Sequence, residues 1–155
     1  MKKIILLLFT AVLILFSGCE KNCLLKKPKN LKSVDWENYN DVYTLYWNFM
    51  KPCSEISEFE NKVIKIAGWR EWSSGEYNIV LCDDPNYCDT IFHSNSPVAI
   101  NIISNFSIQP LLDSCDFTKK CFITGTLKFN HLKMGLCCRA EPEVFVTDIN
   151  DIYFE

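Results

Sequence analysis

Nine cysteines are the side chains with the most chemistry to offer in this 155-residue chain: Cys19, Cys23, Cys53, Cys82, Cys88, Cys115, Cys121, Cys137 and Cys138. Thiolates hold zinc, exchange disulfides, or join as covalent staples. An exchange site needs a Cys-x-x-Cys turn, and none occurs. Carboxylates offer less. Asp83-Asp84 stands beside Pro85 and Asn86, where Asp serves turns through local hydrogen bonds. Asp148 and Asp151 lack the dense oxygen set and glycine of a calcium loop. No Gly-x-Ser-x-Gly, His-Glu-x-x-His or phosphate-cradling glycine loop is present. These absences give no ground to expect an enzyme or a cofactor.

The first residues explain one cysteine. Lys2 and Lys3 precede an apolar run from Ile4 to Phe16 broken only by Thr10. A basic start followed by about 7–15 apolar residues is the layout of a secretory signal. It falls short of the roughly 20 residues that span a bilayer. The run ends Leu15-Phe16-Ser17-Gly18-Cys19, which resembles the lipobox of bacterial lipoproteins, with Phe16 where Leu is more usual. The resemblance implies cleavage before Cys19 and acylation of that cysteine, and several acyl chains give stable anchoring. Residues 1–18 are then the signal and 19–35 a lipidated tether, with Lys26, Lys27, Lys29 and Lys32 around Pro28. Glu20 rather than Asp after the cysteine favours the outer membrane of a cell envelope, with the leaflet open.

Losing residues 1–18 removes Lys2 and Lys3, which leaves 137 residues and moves the formal charge from −3 to −5. One domain, 36–155, is expected for that length. Its acidity suits it poorly to nucleic acid, whose binding depends on neutralising phosphates. The membrane partner is therefore met through the lipid on Cys19.

With Cys19 acylated, no pair keeps the two-to-four-residue spacing common in zinc sites, and His93 and His131 are isolated. No metal site is expected. The even remainder reads as disulfides in an exported chain. Eight cysteines allow about a hundred pairings. Spacing suggests Cys82 with Cys88 and Cys115 with Cys121, and the adjacent Cys137 and Cys138 then take separate partners among Cys53 and Cys23.

The elements that must position these residues are mainly β. Asp35 to Met50 is an aromatic segment whose pattern fits strand or helix, and its ring content tips the reading towards a strand. Its rings could form a stacking platform, although packing is the commoner use of large rings. Strands are expected over Lys62–Trp69, Glu76–Cys82, Pro97–Ile103 and Cys121–Phe129, with a last strand region over Glu143–Phe154 bent near Asp148. A short helix begins near Pro110, which suits its first turn. Gly68 and Gly125 stand in the first and fourth strands.

That order over about 62–155 resembles an OB-fold, a five-stranded Greek-key barrel with one short helix between strands three and four. The closing stretch Pro142-Glu143-Val144 through Asp148 to Tyr153 adds to the likeness. The whole chain is also similar to small cysteine-bearing envelope lipoproteins of gut-type Gram-negative bacteria, which carry no common activity. The OB resemblance implies a ligand face between the first and fourth inter-strand loops. It would be built from Trp69, Arg70, Trp72 and Tyr77 on one side and His131, Lys133 and Arg139 on the other. The expected function is a non-enzymatic binding or interaction module for an envelope protein or small ligand. The alternative is a thiol–disulfide or metal-handling protein using the mature cysteines.

Overall fold

A computed structural model describes residues 27–56, 58–71, 75–84, 98–114, 116, 118–134 and 137–155. The signal segment, Cys19, Cys23, Trp72, Cys88, His93 and Cys115 lie outside the described residues. In chain order the elements are β1 (Asn40–Asp41), α1 (Val42–Phe49), β2 (Lys51–Pro52), a 3-10 turn (Cys53–Glu55), β3 (Val63–Arg70), β4 (Asn78–Cys82) and β5 (Ala99–Ser104). Then come α2 (Gln109–Ser114), β6 (Lys120–Met134), β7 (Cys137–Val146), a second 3-10 turn (Ile149–Asp151) and β8 (Ile152–Phe154). No helix among the described residues is long and apolar enough to cross a membrane.

Within the aromatic segment, Val42–Phe49 is a helix where the rings favour a strand. Asp41 caps α1, its carboxylate accepting from the Thr44 N–H at 2.6 Å. Val42, Leu45 and Phe49 fall on one helical face and are buried. A good cap and an apolar stripe of helical period outweigh the weak β-preference of tyrosine and tryptophan, which depends on context. Met50 leaves the helix extended, its N–H still bonded to the Tyr46 carbonyl. Pro52 follows, and it cannot continue the helix.

The fold is mainly β, built on one mixed sheet of eight strands. β3 runs antiparallel to β6 from Val63↔Thr126 to Trp69↔Lys120. β4 pairs antiparallel with β5, and β5 runs parallel to β7. β6 and β7 form a long hairpin, β8 adds to the start of β6, β1 to β3, and β2 to β7. β3 and β4 meet only through Trp69↔Cys82 and Arg70↔Leu81, so the sheet is not a closed barrel.

The expected strands appear, two of them with shifted limits. β6 reaches Met134 rather than ending near Phe129 because β7 pairs with it as far as Met134↔Cys137. The final strand region divides at Asp148, whose carboxylate takes the Asn150 N–H at 2.9 Å and its amide at 2.8 Å. Those bonds favour a turn over a ladder.

The core is one cluster. Ile64, Ile66, Ile79, Leu81, Ile100, Ile102, Ile123 and Leu127 come from the sheet, and Val42, Leu45 and Phe49 from α1. Each such side chain stabilises by about 1.5–3 kcal/mol when fully buried. Because α1 shares this core, the segment that follows it is held against the sheet. The Cys53–Cys138 disulfide ties that segment to β7 across 85 residues of sequence. Cys82 and Cys121 are fully buried in β4 and β6, and the partners expected for them, Cys88 and Cys115, lie outside the described residues.

Candidate ligand groove beside the first helix

Three chain segments converge on Phe49. Trp36, from the stretch before β1, lies 5.9 Å away between ring centroids, Phe59 lies 5.4 Å away, and Phe129 of β6 lies 6.3 Å away. Phe59 is placed by a turn that ends at Asn61, which has φ of 69°. Asn tolerates this left-handed geometry better than most residues. The Asn61 N–H bonds the Leu127 carbonyl at 2.9 Å, and the Lys128 ammonium donates to the Asn61 side-chain oxygen. The turn thereby delivers Phe59 and Lys62 to the same place.

Lysines cover these rings. The Lys51 ammonium sits 4.3 Å from the centroid of Phe59, and that of Lys62 sits 5.1 Å from Trp36 and 5.3 Å from Phe59. Such contacts are worth about 0.5–1 kcal/mol at exposed sites. A cavity of about 320 Å³ opens here, lined by Lys27, Val34, Trp36, Lys51 and Phe59 among others. A second, of about 210 Å³, shares Lys27, Asn48 and Lys51 with it and extends to Trp47 and Glu55. Asn48 is fully engaged, donating to the Lys32 and Thr44 carbonyls at 2.8 and 2.9 Å and accepting from Lys27 at 3.3 Å. These bonds hold Asn48 in place, and the lining combines aromatic rings with lysines. That combination suits a ligand with acceptor or anionic groups and an apolar part.

A third cavity, of about 330 Å³, includes Asp41, Tyr43 and Asp83 in its lining. Burial pushes the Asp83 carboxyl up, and the neighbouring charges of Asp84 and Asp41 add to the shift. Asp41 already serves as the cap of α1, so this cavity reads as part of the helix's seating.

The residues expected to form a ligand face are dispersed. Trp69 lies near the end of β3 opposite Lys120, whose ammonium lies 4.9 Å from its ring. Arg70 is 4% exposed and donates to the Leu112 carbonyl at 3.2 Å, which ties β3 to α2. Tyr77 is 52% exposed, and the Glu76 carboxylate beside it raises its phenol above the ordinary range. His131 is exposed near the far end of β6, and Arg139 pairs with Glu141. Lys133 lies in β6 opposite Cys138. From Lys120 to His131 is about 35 Å of strand, so the two halves of the face stand at opposite ends of β6.

Trp69 belongs instead to a ladder on the outer face of β3, β6 and β8. There Phe122 stacks on Tyr153 at 4.9 Å, and Tyr39 meets both edge-on at 5.2 and 6.1 Å. Trp36 and Trp47 were visible in sequence as a possible stacking platform. The partners that turn Trp36 into a groove wall, Phe59 and Lys62, lie more than 20 residues further on, and no local spacing announces them.

No family model matches the chain, and no curated protein matches it. Among solved structures it is similar to a DUF3299 family protein from Pseudomonas aeruginosa, at 12% identity and a TM-score of 0.42. The match covers 64% of this chain and 65% of that one.

Proposed function

We propose that this chain is a cell-envelope lipoprotein whose domain binds an anionic, partly apolar ligand without catalysing a reaction. The address is supported by Lys2-Lys3, the apolar run to Phe16 and the lipobox-like ending at Cys19. The lipidated segment from Cys19 serves as the tether, its later part from Lys27 lying along the groove, and the outer membrane is the favoured site. Replacing Cys19 with Ala should move the protein from the membrane to the soluble fraction. An unchanged membrane fraction would refute the lipid anchor.

The domain is read as an OB-like, partly open Greek-key barrel over 62–155. Support comes from the hydrogen-bonded path β3–β4–β5–β7–β6, the further pairing of β6 with β3, and the parallel β5–β7 pair. The position of α2 between β5 and β6 also agrees.

The observation that carries the ligand reading is one concavity lined by Lys27, Lys51, Trp36 and Phe59, with the Lys62 ammonium over the same two rings. Small-ligand sites are concave and mostly apolar with a few polar groups. Here the polar groups include two cations, Lys27 and Lys51. The test uses 2-naphthalenesulfonate as a probe, followed by quenching of tryptophan fluorescence. Lys51→Ala and Lys62→Ala should each weaken binding several-fold, and added salt should weaken the parent's binding. Lys120→Ala, on the outer ladder, should leave it unchanged. Equal binding by all three variants would remove the groove from consideration.

A further inference from the structure

A second site lies at the outer end of the β6–β7 hairpin. Cys53 Sγ, Cys138 Sγ and one imidazole nitrogen of His131 fall within 4.8 Å of one another. The register explains the convergence. His131 pairs with Ala140, so Cys138, two residues along β7, projects from the same face of the hairpin. β2 pairs Pro52 with Arg139, which brings Cys53 beside Cys138. Cys53 and Cys138 are half-buried and His131 is exposed, so the group opens to solvent on the imidazole side.

We infer that Cys53, Cys138 and His131 form a redox-gated zinc site, closed while the cysteines are joined and open once they are reduced. The reductant is a dithiol. It gives two electrons and two protons to the Cys53–Cys138 bond, leaving two thiols here and a disulfide on the donor. Zinc then binds both sulfurs as thiolates with release of two protons, and the neutral His131 nitrogen supplies the third ligand. Around a tetrahedral ion with Zn–S bonds of about 2.3 Å, the sulfurs stand about 3.7 Å apart. The Cα atoms are 5.6 Å apart, so side-chain rotation provides that separation with little backbone movement. The fourth position faces solvent and takes water, which makes the site one for exchangeable rather than permanently held zinc.

The experiment uses the full chain in detergent, oxidised or reduced with a phosphine that is then removed, and titrated with zinc against a chromogenic chelator. Reduced protein should bind one zinc that the oxidised protein does not. Reduced His131→Ala should bind it at least about tenfold more weakly, the scale that loss of even a supporting partner produces at metal sites. The double variant Cys53→Ser, Cys138→Ser retains the other seven cysteines and should lack this zinc under both conditions. The inference is overturned if oxidised and reduced protein bind alike, or if either variant matches the reduced parent. It is also overturned if reduction unfolds the chain, read by circular dichroism, because the site requires the reduced protein to keep its fold.

Discussion

Gly68→Ala tests the packing of α1 against the sheet, on which the groove depends. A Cβ at Gly68 would lie 2.6 Å from Val42 Cγ2 and 2.7 Å from the Cys82 carbonyl oxygen. Carbon atoms in contact sit at about 3.5–4.0 Å, so Val42 must withdraw by about 1 Å. Val42 is fully buried in the first turn of α1, and Cys82 is held by its pairings to β3 and β5. Neither neighbour can yield without moving backbone or repacking the core. Overpacking of this kind costs about 1–3 kcal/mol. The lost flexibility of the unfolded glycine returns about 0.5 kcal/mol. The net expectation is a loss of about 1.5 kcal/mol. At about 4 °C per kcal/mol for a domain of this size, Tm falls by about 6 °C. Gly75→Ala is the control: its new Cβ meets only the Asn78 side chain, at 2.8 Å to Oδ1, which can swing away. Its Tm should change by no more than about 2 °C. Adding Val42→Ala to Gly68→Ala removes one of the two clashes, so the double variant should lose less than the sum of the single losses. Equal Tm values for Gly68→Ala and Gly75→Ala, measured by calorimetry, would refute the reasoning.

Removing the Cys53–Cys138 bond by serine substitution at both positions releases a loop closed over 85 residues. Loop entropy sets the loss at up to about 4.5 kcal/mol, and an unchanged midpoint in denaturant would contradict it. Asp83→Asn should stabilise the fold at neutral pH, because burial raises this carboxyl and the folded state resists its charge. The folded state holds that proton more tightly than the unfolded one. The parent therefore recovers the difference as pH falls through the raised value, and the gain from Asn should vanish there. Asp35 has the opposite sign. Bonds from the Asn38 side chain and from the Glu37 and Asn38 N–H groups hold its carboxyl below the ordinary range. Asp35→Asn should therefore lower stability at neutral pH, and that deficit should close as pH falls through the depressed value. Urea midpoints across the acid range decide both.

The strands after Lys62 were readable because alternation of apolar residues reports which face is buried. Ile64 and Ile66, Ile79 and Leu81, and Ile100 and Ile102 all point into the core as their spacing implies. Residues 42–49 were not readable in the same way. Tyr43, Leu45, Trp47 and Phe49 alternate, yet Leu45 and Phe49 are buried while Tyr43 and Trp47 are not. The deciding feature is the carboxylate of Asp41, a single hydrogen bond that a propensity count weighs no more than any other residue. The dispersed ligand face has a similar origin. Arg70 looked available beside two tryptophans, but it follows the inward parity of β3 and lies beneath α2.

Cys53, His131 and Cys138 show why a site assembled by strand register stays hidden. Spacing rules search for ligands within one turn or loop, and these three come from a 3-10 turn and two strands. A strand pattern of period two says which face each residue takes, and a slip of one residue would violate it. A slip of two residues would not. It would leave every core side chain of β6 and β7 on the same face while moving His131 about 7 Å along Cys138's strand. The ladder from Thr126↔Phe145 to Met134↔Cys137 selects one of these equivalent alignments. The pairing of β2 with β7 does the same for Cys53. The convergence is thus a property of alignment between segments, and the buried pattern within each segment does not determine it.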